Sequence, residues 1–191
     1  MASEDRLNRL YGFFASDIVV VLVGLITGTI LYIFKKGNPA SYIVYLIFIV
    51  VLPVILSTLL LKKESNRSRR RRNSFIISIL SCTAGLITLI LIKGDGDFVF
   101  FIFAYLLSTI VLFLINALGY KVSGHAATVA GPTTVLGLTI GPKALYLFLL
   151  LIPFGISKIK LGEHTIAQFF LGAMSAVIAT LIAFIIMKEV I

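Results

Sequence analysis

Apolar runs of about twenty residues recur along this chain, and no other feature limits its folding so severely. A helix needs about 20 consecutive apolar residues to cross the hydrocarbon core of a bilayer, and the runs Phe13 to Phe34, Ser41 to Leu61, Ser74 to Ile92 and Phe98 to Leu118 each meet that length. Hydrophobic residues make up 59% of the 191 positions and charged ones only 13%, with a mean hydropathy of +1.09. Such a chain could not keep its surface wet as a soluble globule, and it is far too apolar to stay unfolded in water. Its solvent is a bilayer, where every backbone group must find its partner inside the structure and helices are the simplest solution.

Polar and turn-forming residues mark the breaks: Lys35 to Pro39, a strongly basic loop from Lys62 to Asn73, and Lys93 to Asp97. The stretch from Gly124 to Ile156 is too long for one crossing. Gly131-Pro132, Gly141-Pro142-Lys143 and Pro153 interrupt it, which predicts two short helices joined by a turn at Gly141-Pro142-Lys143, with the other prolines as kinks. A last span runs from Thr165 to Met187. The expectation is an all-α integral membrane protein of about seven transmembrane helices, with six as the alternative, in a single transmembrane domain over 1–191. The first run is too long for a signal-peptide core and has no Ala-x-Ala site after it, so it reads as a retained span. The lone cysteine, Cys82, lies in an apolar run and supports neither a disulfide framework nor a Cys metal site.

If every segment crosses, the N-terminus and the loops 62–73, 119–125 and 157–164 share one face of the membrane. That face carries both histidines, His125 and His164, and twelve of the seventeen basic residues, Arg6 and Arg9 among them. The Lys/Arg excess predicts a multi-pass protein of the cell membrane with the histidine face in the cytoplasm. Most of the run Arg69 to Arg72 fits attraction to anionic headgroups. Nucleic acid is not expected as a partner, since no interleaved aromatics or recognition fold accompany the run.

The histidines stand at the borders of apolar helices, among Lys, Arg and Ser. Val122-Ser123-Gly124-His125 opens a helix, where free backbone N–H groups and the dipole favour a phosphate, and Ser123 is a natural N-cap. Gln168 lies four residues beyond His164 and so on the same helix face, where it can orient the imidazole ring. Carboxylates suited to a metal site are scarce on this face, Glu163 being the near one, so neither a metal nor another cofactor is expected.

In these residues the chain resembles the type 2 phosphatidic acid phosphatase superfamily of integral-membrane lipid phosphatases, whose motifs are Lys-x6-Arg-Pro, Pro-Ser-Gly-His and Ser-Arg-x5-His-x3-Asp. Ser123, Gly124 and His125 match the second. In the third, Ser157 and His164 match, Lys158 stands where Arg is usual and Gln168 where Asp is usual. The first is the loosest: Lys63 is its lysine and Arg70, Arg71 or Arg72 its arginine. The resemblance covers residues 62–176, and the phrase His-Thr-x-x-Gln is similar to the polyprenyl and dolichyl diphosphate phosphatase branch.

The resemblance implies the family's helical-bundle core and a metal-independent hydrolase acting on a lipid phosphate held at headgroup depth. By similarity His164 is the nucleophile that forms a phosphohistidine and His125 the general acid, while Lys63, Arg70 or Arg72, Ser123, the Gly124 amide and Lys158 hold the phosphate. Lys158 offers a point charge instead of a bidentate fork, and Gln168 has no charge with which to stabilise an imidazolium. A relative that binds lipid phosphate without hydrolysing it is therefore the alternative. A small transporter is disfavoured by the scarcity of deep intramembrane charge.

Overall fold

The computed structural model describes residues 10–14 and 16–190; Glu4, Asp5, Arg6 and Arg9 of the N-terminal flank lie outside the described residues. Among those described, eight α-helical segments, one π segment and one 3-10 segment run end to end as seven rods. Helix α1 is Asp17–Lys35. Helix α2 starts as Pro39–Tyr45, passes through the π segment Leu46–Val51 and ends as Leu52–Leu61. Then come α3 (Arg67–Leu91), α4 (Gly96–Ala117) and α5 (Gly124–Thr139). Helix α6 opens as the 3-10 segment Pro142–Leu150 and continues as Leu151–Lys160, and α7 is Ile166–Val190.

Six of these rods are long and apolar enough to cross a membrane, which makes the chain a multi-pass integral membrane protein. The seventh, α5, has sixteen residues; at 1.5 Å per residue it covers about 24 Å of a hydrocarbon core of about 30 Å. The sequence reading expected both α5 and α6 to be short. Helix α6 is not: its nine 3-10 residues rise about 18 Å and its ten α residues about 15 Å, enough for the crossing. The turn between them falls where it was expected, with Gly141 at φ 131°.

The basic segment 62–73, read as a loop, is helical from Arg67 onward. Asn66 explains the early start, because its side-chain oxygen accepts the backbone N–H groups of Ser68 (3.0 Å) and Arg69 (3.2 Å), two of the donors that a helix start leaves without partners. The arginines thus stand on the first two turns of α3, beyond its apolar stretch.

Pro53 accounts for the π segment in α2. The Leu52 N–H reaches back to the Ile47 carbonyl, and Pro53 has no N–H to offer the Phe48 carbonyl in the same register. Ser81 on α3 supplies the missing donor through its hydroxyl, as a carbonyl inside a bilayer requires.

Helix α5 is the central element, buried at almost every position from Ala126 to Leu136. Its Ala126, Ala127 and Ala130 meet Ala173 and Ala176 of α7, small residues that let two backbones come close. A larger cluster including Leu31, Tyr45, Phe98, Phe101 and Leu136 fills the other end of the bundle.

Candidate functional site

Loop contacts sort the helix ends into two faces. On one, Asp95 accepts the Asn38 N–H, the Asp95 N–H donates to Ser41 Oγ, and Lys35 pairs with Asp97. On the other, Arg71 donates to Asn116 Oδ1 (3.2 Å), Lys121 Nζ to the Glu163 carbonyl (2.7 Å) and the Ser123 N–H to the Gln168 carbonyl (3.1 Å). The second face carries the residues singled out by sequence, and helices α3, α5 and α7 all begin there, pointing the positive ends of their dipoles at it.

The His164 position follows from how α6 ends. Gly162 adopts the left-handed conformation at φ 67°, which favours glycine, and the chain doubles back so that the Glu163 and His164 N–H groups both donate to the Lys158 carbonyl (3.0 and 3.3 Å). This places His164, 8% exposed, beside Lys158, 3% exposed. Burial chiefly, then the Arg71 and Lys121 cations, push the His164 pKa down to about 4; a hydrogen bond with the Gln168 side chain opposes the fall and Lys158 adds to it. The imidazole is therefore neutral at physiological pH. Its Nδ1 has no hydrogen-bond partner among the described residues.

Glu163 belongs to the same cluster. Its Oε2 lies 2.6 Å from Lys158 Nζ. Partial burial raises its pKa, but the hydrogen bond and charge of Lys158, with smaller pulls from His125 and His164, hold it below the usual carboxylate range. Sequence reasoning considered Glu163 only as a metal ligand. Its adjacency to His164 was visible, but its pairing with Lys158 depends on the turn at Gly162. Among the described residues no three His, Cys, Asp or Glu side chains gather as a metal-ligand set would require.

The two histidine segments are tied together through the starts of α5 and α7. Ser123 is fully buried and caps α5 by accepting the Ala126 N–H at 3.3 Å. Its own N–H reaches Gln168, and its backbone packs so closely on α7 that a Cβ at Gly172 would stand 2.3 Å from the Ser123 carbonyl oxygen. Gln168 has a role that its ring-orienting assignment did not include: its Oε1 accepts the Thr165 N–H (3.2 Å) while its own N–H donates to Thr165 Oγ1 (3.3 Å). That reciprocal pair is a capping box opening α7.

Beneath this face lies a cavity of about 530 Å³, walled by α1 to α5 and by Thr180 of α7. Gly124 and His125 line it, as do Lys62 and Arg70, and it extends into the bundle as far as Tyr45, Tyr105 and Val135. Of the first-motif candidates, Arg70 faces the cavity and Arg71 sits beside Asn116 and His164. Lys63 and Arg72 are exposed and outside the cavity lining, where Lys62 stands instead. The structure thus gathers His164, Lys158, Gln168, Ser123, Gly124 and His125 at one border of the bundle, with Arg70 at the mouth of the cavity.

No family model, curated protein or solved structure matches the chain.

Proposed function

We propose that the protein is a lipid phosphatase that hydrolyses the phosphate or diphosphate ester of a membrane amphiphile through a phosphohistidine, as its resemblance to the type 2 phosphatidic acid phosphatases implies. The observation that carries this reading is a buried His164, its pKa pushed down by burial and by the Arg71, Lys121 and Lys158 cations, at the same border of the bundle as His125, which lines the cavity. A neutral imidazole has the lone pair a nucleophile needs, and fixed cations stabilise the charge on the equatorial oxygens of a transferring phosphoryl group.

A ring nitrogen of His164 attacks phosphorus and the bond from phosphorus to the leaving oxygen breaks. Protonated His125 gives its proton to that oxygen. Water then attacks the phosphohistidine while His125 takes its proton, the N–P bond breaks, and inorganic phosphate leaves with His164 restored. Lys158, Arg70 and the α5 start with Ser123 and Gly124 hold the phosphate oxygens, and no metal takes part. By the distribution of Lys and Arg the reaction faces the cytoplasm of the cell membrane.

A specific observation favours a second reading: Lys158 is engaged by Glu163, so a bound phosphate must share or displace a carboxylate, and a protein that binds lipid phosphate without turnover is consistent with that. Phosphate release by the purified protein, with chelator present, decides between them. The expected result is release from at least one lipid phosphate and its loss in His164→Ala; binding without release from any of them would overturn the phosphatase.

A further inference from the structure

Two lysines meet at Glu163, and they meet it differently. Lys158 Nζ pairs with the carboxylate, 2.6 Å from Oε2, so its positive charge is matched inside the protein. Lys121 Nζ instead donates to the Glu163 backbone carbonyl at 2.7 Å. A carbonyl is neutral and takes up one of the three donors of an ammonium group, so Lys121 keeps its full charge and two N–H donors for an incoming anion. Lys121 is also exposed whereas Lys158 is buried, and an anion arriving from the aqueous side reaches it without breaking an ion pair.

The backbone on either side fixes its place. Gly119 ends α4 in the left-handed conformation at φ 89°, which favours glycine, and the Tyr120 N–H reaches back to the Ile115 carbonyl (3.1 Å). The residues that follow Lys121, Val122 and Ser123, are fully buried, and the Ser123 N–H is bonded to the Gln168 carbonyl. Lys121 thus stands between two anchored points, with its side chain held at the residue that directly precedes His164. Arg71 is anchored on a neutral oxygen too, Oδ1 of Asn116 at the end of α4 (3.2 Å). Although exposed, Lys121 depresses the His164 pKa more than the buried Lys158 does, and only Arg71 among the cations does so more strongly, which places both charges close to the ring.

We propose that Lys121 is a phosphate-binding residue of this site, holding with Arg71 the oxygens of a phosphoryl group at His164. None of the three family motifs reaches it, since the second begins at the position of Val122. The assignment rests on reading the histidine face as a phosphate site, and it gives that site a charge that Glu163 does not neutralise.

The test is binding of inorganic phosphate, measured apart from turnover, by the full-length protein in detergent, for the wild type, Lys121→Gln, Lys121→Arg and Lys160→Gln. Glutamine removes the charge but keeps an N–H for the Glu163 carbonyl, arginine keeps both, and Lys160 is an exposed lysine of the same face that controls for net charge. Lys121→Gln should weaken phosphate binding by about fivefold or more, a charge-assisted hydrogen bond discounted for exposure. Lys121→Arg and Lys160→Gln should stay within about twofold of the wild type. The His164 ring, followed by NMR without phosphate, should titrate at higher pH in Lys121→Gln, because a cation that opposes the imidazolium has gone; a residue that only ties the turn would leave that titration where it is. Unchanged phosphate affinity in Lys121→Gln, an equal loss in Lys160→Gln, a loss that Lys121→Arg shares, an unmoved His164 titration, or no phosphate binding by the wild type would each overturn the assignment. Phosphate binding that depends on Lys121, in a protein that releases no phosphate from any lipid, would overturn only the phosphatase reading and leave this one standing.

Discussion

The protonation state of His164 can be measured directly, because the chain has only two histidines and a His164→Asn variant assigns the resonances. Its ring should titrate near pH 4 instead of the ordinary value of about 6.5. Between those values the unfolded chain holds the proton and the folded protein does not, so the His164 contribution to stability is full above about pH 6.5 and falls as the pH is lowered toward 4. Gln168→Glu keeps the length needed to accept the Thr165 N–H and adds a charge beside the ring. It should raise the His164 pKa, whereas an unchanged titration would show that Gln168 serves the α7 capping box alone. Glu163→Gln removes the carboxylate that engages Lys158. Inorganic phosphate should then bind several-fold more tightly, because a fixed negative charge has left the site; weaker binding would mean that Glu163 orients Lys158 toward the anion.

At the scale of elements, the π segment of α2 depends on a side chain from its neighbour. Ser81→Ala leaves the Phe48 carbonyl without the donor that Pro53 cannot provide, and should cost about 1–3 kcal/mol. Thermal unfolding in detergent would show it, and Ser81→Thr should recover most of the loss; no change would mean that α2 repairs its own register. How much of this was legible varied with the range of the interaction. The Ser123 cap and the turn at Gly141-Pro142 are local and could be read directly. Asn66 was also in view, but the eight polar and basic residues after it, Arg67 to Ser74, masked the helix start at Arg67. The fit of Gly172 against Ser123 and the pairing of Lys158 with Glu163 arise from residues distant in sequence or brought together by a turn. Neither hydrophobic periodicity nor motif spacing encodes them.

For the whole molecule, the decisive question is whether α5 takes the chain across the membrane. Only then do His125 and His164 share a face with the basic start of α3, and α5 is the shortest of the seven rods. Burial among α1, α4, α6 and α7 lets a helix of about 24 Å serve, since its ends meet protein more than lipid. The wild-type chain suits a labelling test because its single cysteine, Cys82, is fully buried. Cysteines are introduced one at a time at the exposed positions Lys63, Lys93, Tyr120 and Lys143, and sealed vesicles of known orientation are treated with a membrane-impermeant maleimide. Lys63→Cys and Tyr120→Cys should react from one side, Lys93→Cys and Lys143→Cys from the other. The charge distribution puts the first pair in the cytoplasm. If Tyr120→Cys and Lys143→Cys react from the same side, α5 re-enters without crossing, and the common face that unites the two histidines is lost. If the pairs separate as expected but Lys63→Cys reacts from outside, the site survives and only its orientation reverses, which would mean that phosphate-binding cations had biased the charge count.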